Sequence, residues 1–311
     1  MSISARALKI PLIVIFSGTT IPPYYRQSHI SFPDNYENYI TRLLPDFIKS
    51  SIARYILLNN KLLVKDFNSI AKKYGVKPFN TINDILIGDY TFICDDINFL
   101  GIKPTKEFPI ENYIGPISGG FLEKEEDILD EDIKRHLNRS GKSILLMVGS
   151  TFDRKLYLKI LDALCKTNYN VIAVYTKMKE DKLPYVKENI LLKKYIKYPK
   201  IVNRMVDLAI IHGGRGTVYT AAYSGKPIIG IPTLLEQQYN IDNIVKHGAG
   251  LRLSKKFFRQ SDLLKAIETI FKNYDIYLKN AQNLSKKLTI VPGEEKATQR
   301  INEIIQEKII K

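Results

Sequence analysis

The run His212-Gly213-Gly214-Arg215-Gly216-Thr217 (HGGRGT) brings together an imidazole, three glycines and a hydroxyl within six residues. It follows the apolar stretch DLAII (Asp207–Ile211) and precedes TVYTAAYSG, so it reads as strand, glycine-rich turn and helix N-terminus. That order builds an anion site. Glycines let the backbone approach a phosphate, the free N–H groups of the first helical turn point at it, and the helix dipole adds partial positive charge. Thr217 is placed to cap the helix or to donate to a ligand oxygen, and His212 can donate from one ring nitrogen. A turn of this composition also occurs where only tight strand-to-helix geometry is needed, so the neighbouring residues must decide.

They favour a ligand. Gly225 reads as a left-handed stop to the helix, and Lys226-Pro227 leads into a second buried-strand run, IIGIP (Ile228–Pro232). A polar loop follows, Leu235-Glu236-Gln237-Gln238-Tyr239-Asn240, and then the amphipathic stretch NIDNIVKHG. Two successive strand ends therefore present polar groups at one edge of a parallel sheet, the carboxyl edge at which open α/β sheets bind ligands. A phosphate cradle beside carboxylate and amide groups suits a nucleotide joined to a polyhydroxyl group, with Glu236 and Gln237 hydrogen-bonded to sugar hydroxyls.

These residues resemble the donor-binding half of nucleotide-sugar glycosyltransferases of the two-domain GT-B fold. The likeness is to the UDP-glycosyltransferase and macrolide-glycosyltransferase group and, more distantly, to MurG-like enzymes. The family pattern H-G-G-x-G-T-x-x-E, small-x-G-x-P, apolar strand, D-Q-x-x-N is met here by HGGRGTVYT, AAYSGKP, IIGIP and EQQYN, with the spacing kept throughout. The resemblance implies that His212 contacts a phosphate and that Gly213, Gly214, Gly216 and Thr217 line the diphosphate. It also implies that Glu236 and Gln237 hold the donor sugar and that Asn240 lies near the phosphates. ILLMVGST (Ile144–Thr151) resembles the first strand of this domain with the family's Gly149-Ser150 turn. YIKYP (Tyr195–Pro199) lies where the family stacks on uracil. Three residues depart from the pattern. Thr220 replaces the glutamate that grips the ribose, Glu236 replaces an aspartate, and Tyr195 or Tyr198 stands in for the usual tryptophan.

The elements that must position these groups alternate from Ser143 onward: SILLMVGS, KLYLKILDALCK, NVIAVYT, ENILLKKYI, DLAII, IIGIP, GLRLS, then helices from Asp262 broken at Pro292. Such alternation predicts a parallel sheet covered on both faces. The expected organisation is α/β, two Rossmann-like domains with parallel sheets. Residues 1–117 form an incomplete N-terminal, acceptor-side domain, 118–142 an acidic and glycine-containing linker, and 143–311 the donor domain, whose last helix packs back on the first. In residues 1–117 a strand at KIPLIVIFSG precedes a tyrosine- and proline-rich loop, helices about Asn35–Lys49 and Ser50–Tyr74, and strands near ILIGDYTFICD and NYIGPI.

By the resemblance this half lacks roughly its first part, including the loop that carries the acceptor-deprotonating histidine. His29 is the one histidine available in it, and an ordinary loop role is the leading alternative. A sheet missing strands would leave an apolar edge. A second chain could complete it, as in split glycosyltransferases, or the product could be truncated.

At 311 residues, 45% hydrophobic and 25% charged, the composition is that of a globular protein with a substantial core. Cys94 and Cys165 lack metal or redox spacing and read as buried thiols of a reducing cytoplasm. MSISARALK before IPLIVIF has no small-x-small cleavage site and reads as a helix feeding a strand rather than a signal peptide. No apolar run approaches the roughly 18 residues of a membrane span. The net charge of +15, dense over Lys177–Arg204 and Ser254–Arg259, fits either attraction to anionic lipid at the inner membrane face or a lysine-rich AT-biased coding background. No nucleic-acid module is recognisable.

The expected activity is transfer of a hexose-type sugar from a nucleotide diphosphate donor, UDP-sugar first, to a hydroxyl acceptor, lipid-linked acceptors included. The donor enters as substrate, with neither cofactor nor metal. The alternative is a non-catalytic or partner-dependent nucleotide-sugar-binding subunit.

Overall fold

The computed structural model describes residues 2–59, 61, 64–117, 129–149, 152–175, 187–288 and 292–309. Two compact units divide the chain, one of residues 1–118 with 289–311 and the other of 119–288.

In the first unit, helix α1 (Ser2–Ala7) leads to strand β1 (Ile13–Phe16) and helix α2 (Pro22–Gln27). Helices α3 (Tyr39–Leu43), α4 (Asp46–Asn59), α5 (Lys65–Lys73) and α6 (Ile82–Leu86) come next, then β2 (Tyr90–Ile93) and α7 (Ile97–Leu100). The two helices expected over residues 35–74 are divided differently. Asn38 caps α3, accepting from the Ile40 and Thr41 amides. Pro45 then ends it, because the residue before a proline is pushed out of helical geometry, as Leu44 shows at φ −72 and ψ 138. β1 and β2 pair in parallel from Ile13–Tyr90 to Phe16–Ile93. ILIG does not join the second strand, since its first two residues end α6, and NYIGPI contributes only a bridge between Tyr113 and Ile93. Helix α15 (Gly293–Ile309) belongs to this unit and buries Ala297 and Ile304 with Phe92, Cys94 and Ile114.

The second unit runs α8 (Glu131–Leu137), β3 (Ser143–Met147), α9 (Arg154–Cys165), β4 (Asn170–Val174), β5 (Ile190–Lys193), α10 (Pro199–Met205) and β6 (Leu208–Ile211). It continues through α11 (Arg215–Ser224), β7 (Ile228–Gly230), α12 (Leu235–Lys246), β8 (Gly250–Arg252), α13 (Gln260–Lys272) and α14 (Tyr274–Lys287). All its strands pair in parallel in the order β5-β4-β3-β6-β7-β8.

Strand side chains alternate faces, and the two faces find different partners. Ile144, Leu146, Val171, Ala173, Leu208 and Ile210 pack against Leu156, Ile160 and Leu161 of α9 and Leu263 and Ile267 of α13. Leu145 and Ile172 face the other way, onto Ile133 of α8 and Val202 of α10. Burial on both sides explains why these strands read as unbroken apolar runs. Gly225 closes α11 at φ +66, a left-handed cap that costs glycine no steric strain. Cys94 is buried, Cys165 is half-buried, and both are free thiols.

Candidate functional site

The strand order reverses direction between β3 and β6, and chains leaving the carboxyl ends of such neighbours diverge to open a crevice. Gly149 follows β3, and His212 follows β6 directly. The Gly149 N–H donates to His212 Nδ1 at 3.1 Å. Because Nδ1 accepts, a neutral imidazole carries its proton on Nε2, the nitrogen left to donate. The ring is 5% exposed and lies edge-on to Phe152, with centroids 6.5 Å apart. A Cβ on either Gly149 or Gly214 would overlap Nε2, so both glycines are required for the ring to sit here. Ser150, the second residue of the expected Gly-Ser turn, lies outside the described residues.

Burial pushes the His212 imidazole down to a pKa of about 4. The unfolded chain titrates this group near 6.5, so between the two values the unfolded state binds more protons and stability falls as pH falls. The full stability is present above about pH 6.5, and the loss at pH 4 is on the order of 3 kcal/mol. Urea midpoints at pH 7 and pH 5 should therefore differ more in the wild type than in His212→Asn. Equal differences would assign the acid sensitivity to other groups.

Gly213 makes the turn at φ +85, where a Cβ would meet Gln237 O at 2.6 Å and Ile241 Cγ1 at 2.7 Å. Its carbonyl accepts from Asn240 Nδ2 at 2.9 Å, while Asn240 Oδ1 is buried with no hydrogen-bond partner. Gly214 is the N-cap of α11 and supplies no side-chain cap, so the amides of Arg215, Gly216 and Thr217 start the helix without intrahelical acceptors. Thr217 thus sits inside the first turn and is not the cap residue, because the two glycines before Arg215 are spent on the turn. No side chain approaches the Cβ position of Gly216 within 4 Å.

Residues Leu235–Asn240, expected as a polar loop, are the first turns of α12. Gln237 Oε1 accepts from the Thr233 N–H (2.9 Å), the Thr233 hydroxyl (2.9 Å) and the Leu234 N–H (3.2 Å), so this carbonyl closes the helix start. Glu236, second in the helix, accepts from Arg215 Nη2 at 2.8 Å. Nothing local in the sequence marks Arg215, because its partner lies 21 positions away. A helix start here was legible in principle, because Thr233-x-x-Glu236 has the form of a capping box, although the structure sets it one residue later, with Leu234 as N-cap and Gln237 as the third helical residue.

Thr220 donates its hydroxyl to the Gly216 carbonyl at 2.7 Å and is buried, so it is spent within α11. Tyr198 caps α10 half-buried against the Ile133 and Val202 cluster, with Lys197 Nζ 4.8 Å from its ring centroid. Tyr195 is exposed and offers the barer ring. His29 is exposed in the loop after α2, in the other unit.

The family model described as "UDP-glucoronosyl and UDP-glucosyl transferase" matches residues 2–289. UDP-glucuronosyltransferase 2B33 of Macaca mulatta is 24% identical over 297 residues, covering 91% of this chain and 54% of the relative. The chain spans about half the length of the curated relatives it matches over most of its own. Among solved structures, the calicheamicin glycosyltransferase CalG4 superposes with a TM-score of 0.61 at 14% identity, covering 98% of this chain and 72% of that one. The spinosyn rhamnosyltransferase SpnG complexed with thymidine diphosphate gives 0.60 at 14% identity, covering 97% and 70%. The shared architecture is GT-B, with parallel sheets.

Proposed function

The chain belongs to the UDP-glucoronosyl and UDP-glucosyl transferase family, and from that premise we propose that it moves a hexose-type sugar from a nucleotide diphosphate donor, UDP-sugar first, to a hydroxyl acceptor. One observation carries the reading. The buried imidazole of His212, locked by Gly149 across the switch point, leaves Nε2–H to donate beside the uncapped N-terminus of α11. Charge developing on the leaving diphosphate would meet fixed donors in a site that needs no reorganisation, and no metal is invoked. Glu236 and the Gln237 amide would hold sugar hydroxyls, and Tyr195 or Tyr198 would face the base. The acceptor hydroxyl needs a base, since it is a poor nucleophile near pH 7. His29 is the candidate in the first unit.

An acceptor of lipid character is supported by Tyr39, Ile40, Leu43, Phe47 and Tyr55, all exposed on α3 and α4. Among the described residues no helix is long and apolar enough to cross a membrane. The net charge of +15 supports a cytoplasmic protein that approaches anionic lipid from the inner face.

Thr220 favours the second reading, a nucleotide-sugar-binding subunit that depends on a partner, because its hydroxyl is committed to Gly216 where the family pattern has a ribose-binding glutamate. The two readings separate in one assay. UDP release from UDP-glucose and UDP-N-acetylglucosamine, with and without lipid extract, is expected to show turnover. UDP binding without turnover in any condition would instead support the subunit, and absence of both would end the donor-site reading.

A further inference from the structure

The first unit carries an apolar groove that sugar transfer leaves unused. Arg6 fastens α1 to α6, donating to the carbonyls of Asp84 at 2.9 Å and Ile87 at 2.6 Å and lying 5.1 Å from the Phe79 ring centroid. A cavity of about 580 Å3 is left between α1 and α5. Ile3 and Leu8 line it from the α1 side, Phe67, Ile70 and Tyr74 from the α5 side, and Ile85 from α6. On α5 the three apolar residues recur at i, i+3 and i+7, one stripe of the helix, while Ala71 turns into the core. That stripe is not spent on packing. Phe67, Ile70 and Tyr74 are 40%, 48% and 58% exposed, and Leu8 is 70% exposed.

The charges beside the groove are nearly all of one sign. Lys9 follows Leu8, Lys65, Lys72 and Lys73 lie on α5, and Lys77 comes just after it; all five are exposed. Among the described residues none of the five forms an ion pair, and Lys73 Nζ stands 5.9 Å from the Tyr74 ring centroid. Asp66 is the one carboxylate on either helix. Aromatic and aliphatic groups on one stripe with lysines beside them suit the lipid–water interface. A protein partner fits less well, because lysine is depleted from protein–protein contacts. Five lysines on two separate segments call for the phosphates of several headgroups, which a bilayer supplies and a single soluble amphiphile does not.

We propose that this groove docks the chain on an anionic bilayer, taking an acyl chain between α1 and α5 while the lysines meet headgroup phosphates. This rests on the reading above that the protein approaches anionic lipid.

Flotation of the full chain with vesicles of phosphatidylcholine, alone or with phosphatidylglycerol added, tests it. The wild type should float with the anionic vesicles and far less with the neutral ones. Lys72→Gln with Lys73→Gln should lower partitioning into anionic vesicles roughly 30-fold, the factor expected of two lysines at such a surface. Leu8→Gln with Ile70→Gln leaves the charge unchanged and should lower partitioning about tenfold or more. Lys103→Gln with Lys106→Gln removes the same charge from exposed positions off the groove and should float like the wild type. Melting curves check that each variant is folded. Wild-type flotation that survives in either groove variant, or that falls equally in the Lys103 and Lys106 control, would overturn the groove while upholding the approach to lipid. Groove variants that dissolve a self-associated species in size-exclusion chromatography, with flotation unchanged, would assign the groove to a protein contact instead. No flotation of the wild type would bring down both the groove and the approach to lipid.

Discussion

Replacing His212 with asparagine should weaken UDP binding roughly 10- to 100-fold while the fold persists, the cost of one hydrogen bond to a charged group. Asparagine can place its Oδ1 where Nδ1 now accepts from the Gly149 N–H, so the anchor between β3 and β6 can be kept. What it lacks is a second donor at the position of Nε2. Alanine would lose both and leave the half-buried Gly149 amide without its acceptor, mixing a stability defect with a binding defect. Calorimetry with UDP and a thermal melt of each variant separate the two. A His212→Asn protein that melts like the wild type and binds UDP as tightly would show that Nε2–H does not serve the diphosphate. In a turnover assay the same variant should lose more than it loses in binding, because charge on the leaving oxygen grows in the transition state. Loss of one such donor is typically worth about 100- to 1,000-fold in rate.

How much of this was legible beforehand depended on whether a residue's job was local. β3, β6 and β7 were readable as apolar runs because both faces of the sheet are covered. The end of α11 was readable because Gly225 is a stop signal by itself. The start of α12 reads as a polar loop in the sequence for a physical reason. Gln237, Gln238, Asn240 and Asn243 are buried on it. Some of these polar groups satisfy the helix start and the carbonyl of Gly213, so the apolar periodicity that announces a helix is absent. The ion pair of Arg215 with Glu236 and the bond from Gly149 to His212 join residues 21 and 63 apart, and only the sheet order brings them together. In the first unit, Pro45 was a visible break between α3 and α4. The single bridge at Tyr113 has no sequence signature that distinguishes it from a strand.

The three glycines of HGGRGT should respond to alanine in opposite ways, and Gly213 should give the largest stability effect. At φ +85 an alanine pays left-handed strain of about 1–2 kcal/mol. Its methyl would also lie 2.6 Å from the Gln237 carbonyl oxygen and 2.7 Å from Ile241 Cγ1. The carbonyl belongs to the backbone of α12 and cannot rotate aside, so the helix must move away from β6. Overpacking of that kind adds about 1–3 kcal/mol. The sum, about 2–5 kcal/mol, lowers the melting temperature by several degrees or more for a protein of this size. Gly214→Ala strikes the His212 ring instead and should reduce binding with a smaller thermal shift. Gly216→Ala meets no atom within 4 Å and sits in the first turn of a helix, where alanine is favoured over glycine by up to about 1 kcal/mol. Its melting temperature should hold or rise. Yet the added methyl stands among the amides proposed to receive the diphosphate, so UDP affinity should drop. A Gly216→Ala protein with wild-type UDP affinity would remove that amide from the cradle. A Gly213→Ala protein with an unchanged melt would mean that α12 is not held against β6 by this turn. Opposite outcomes at two glycines three residues apart are what a loop shaped by both packing and phosphate requires.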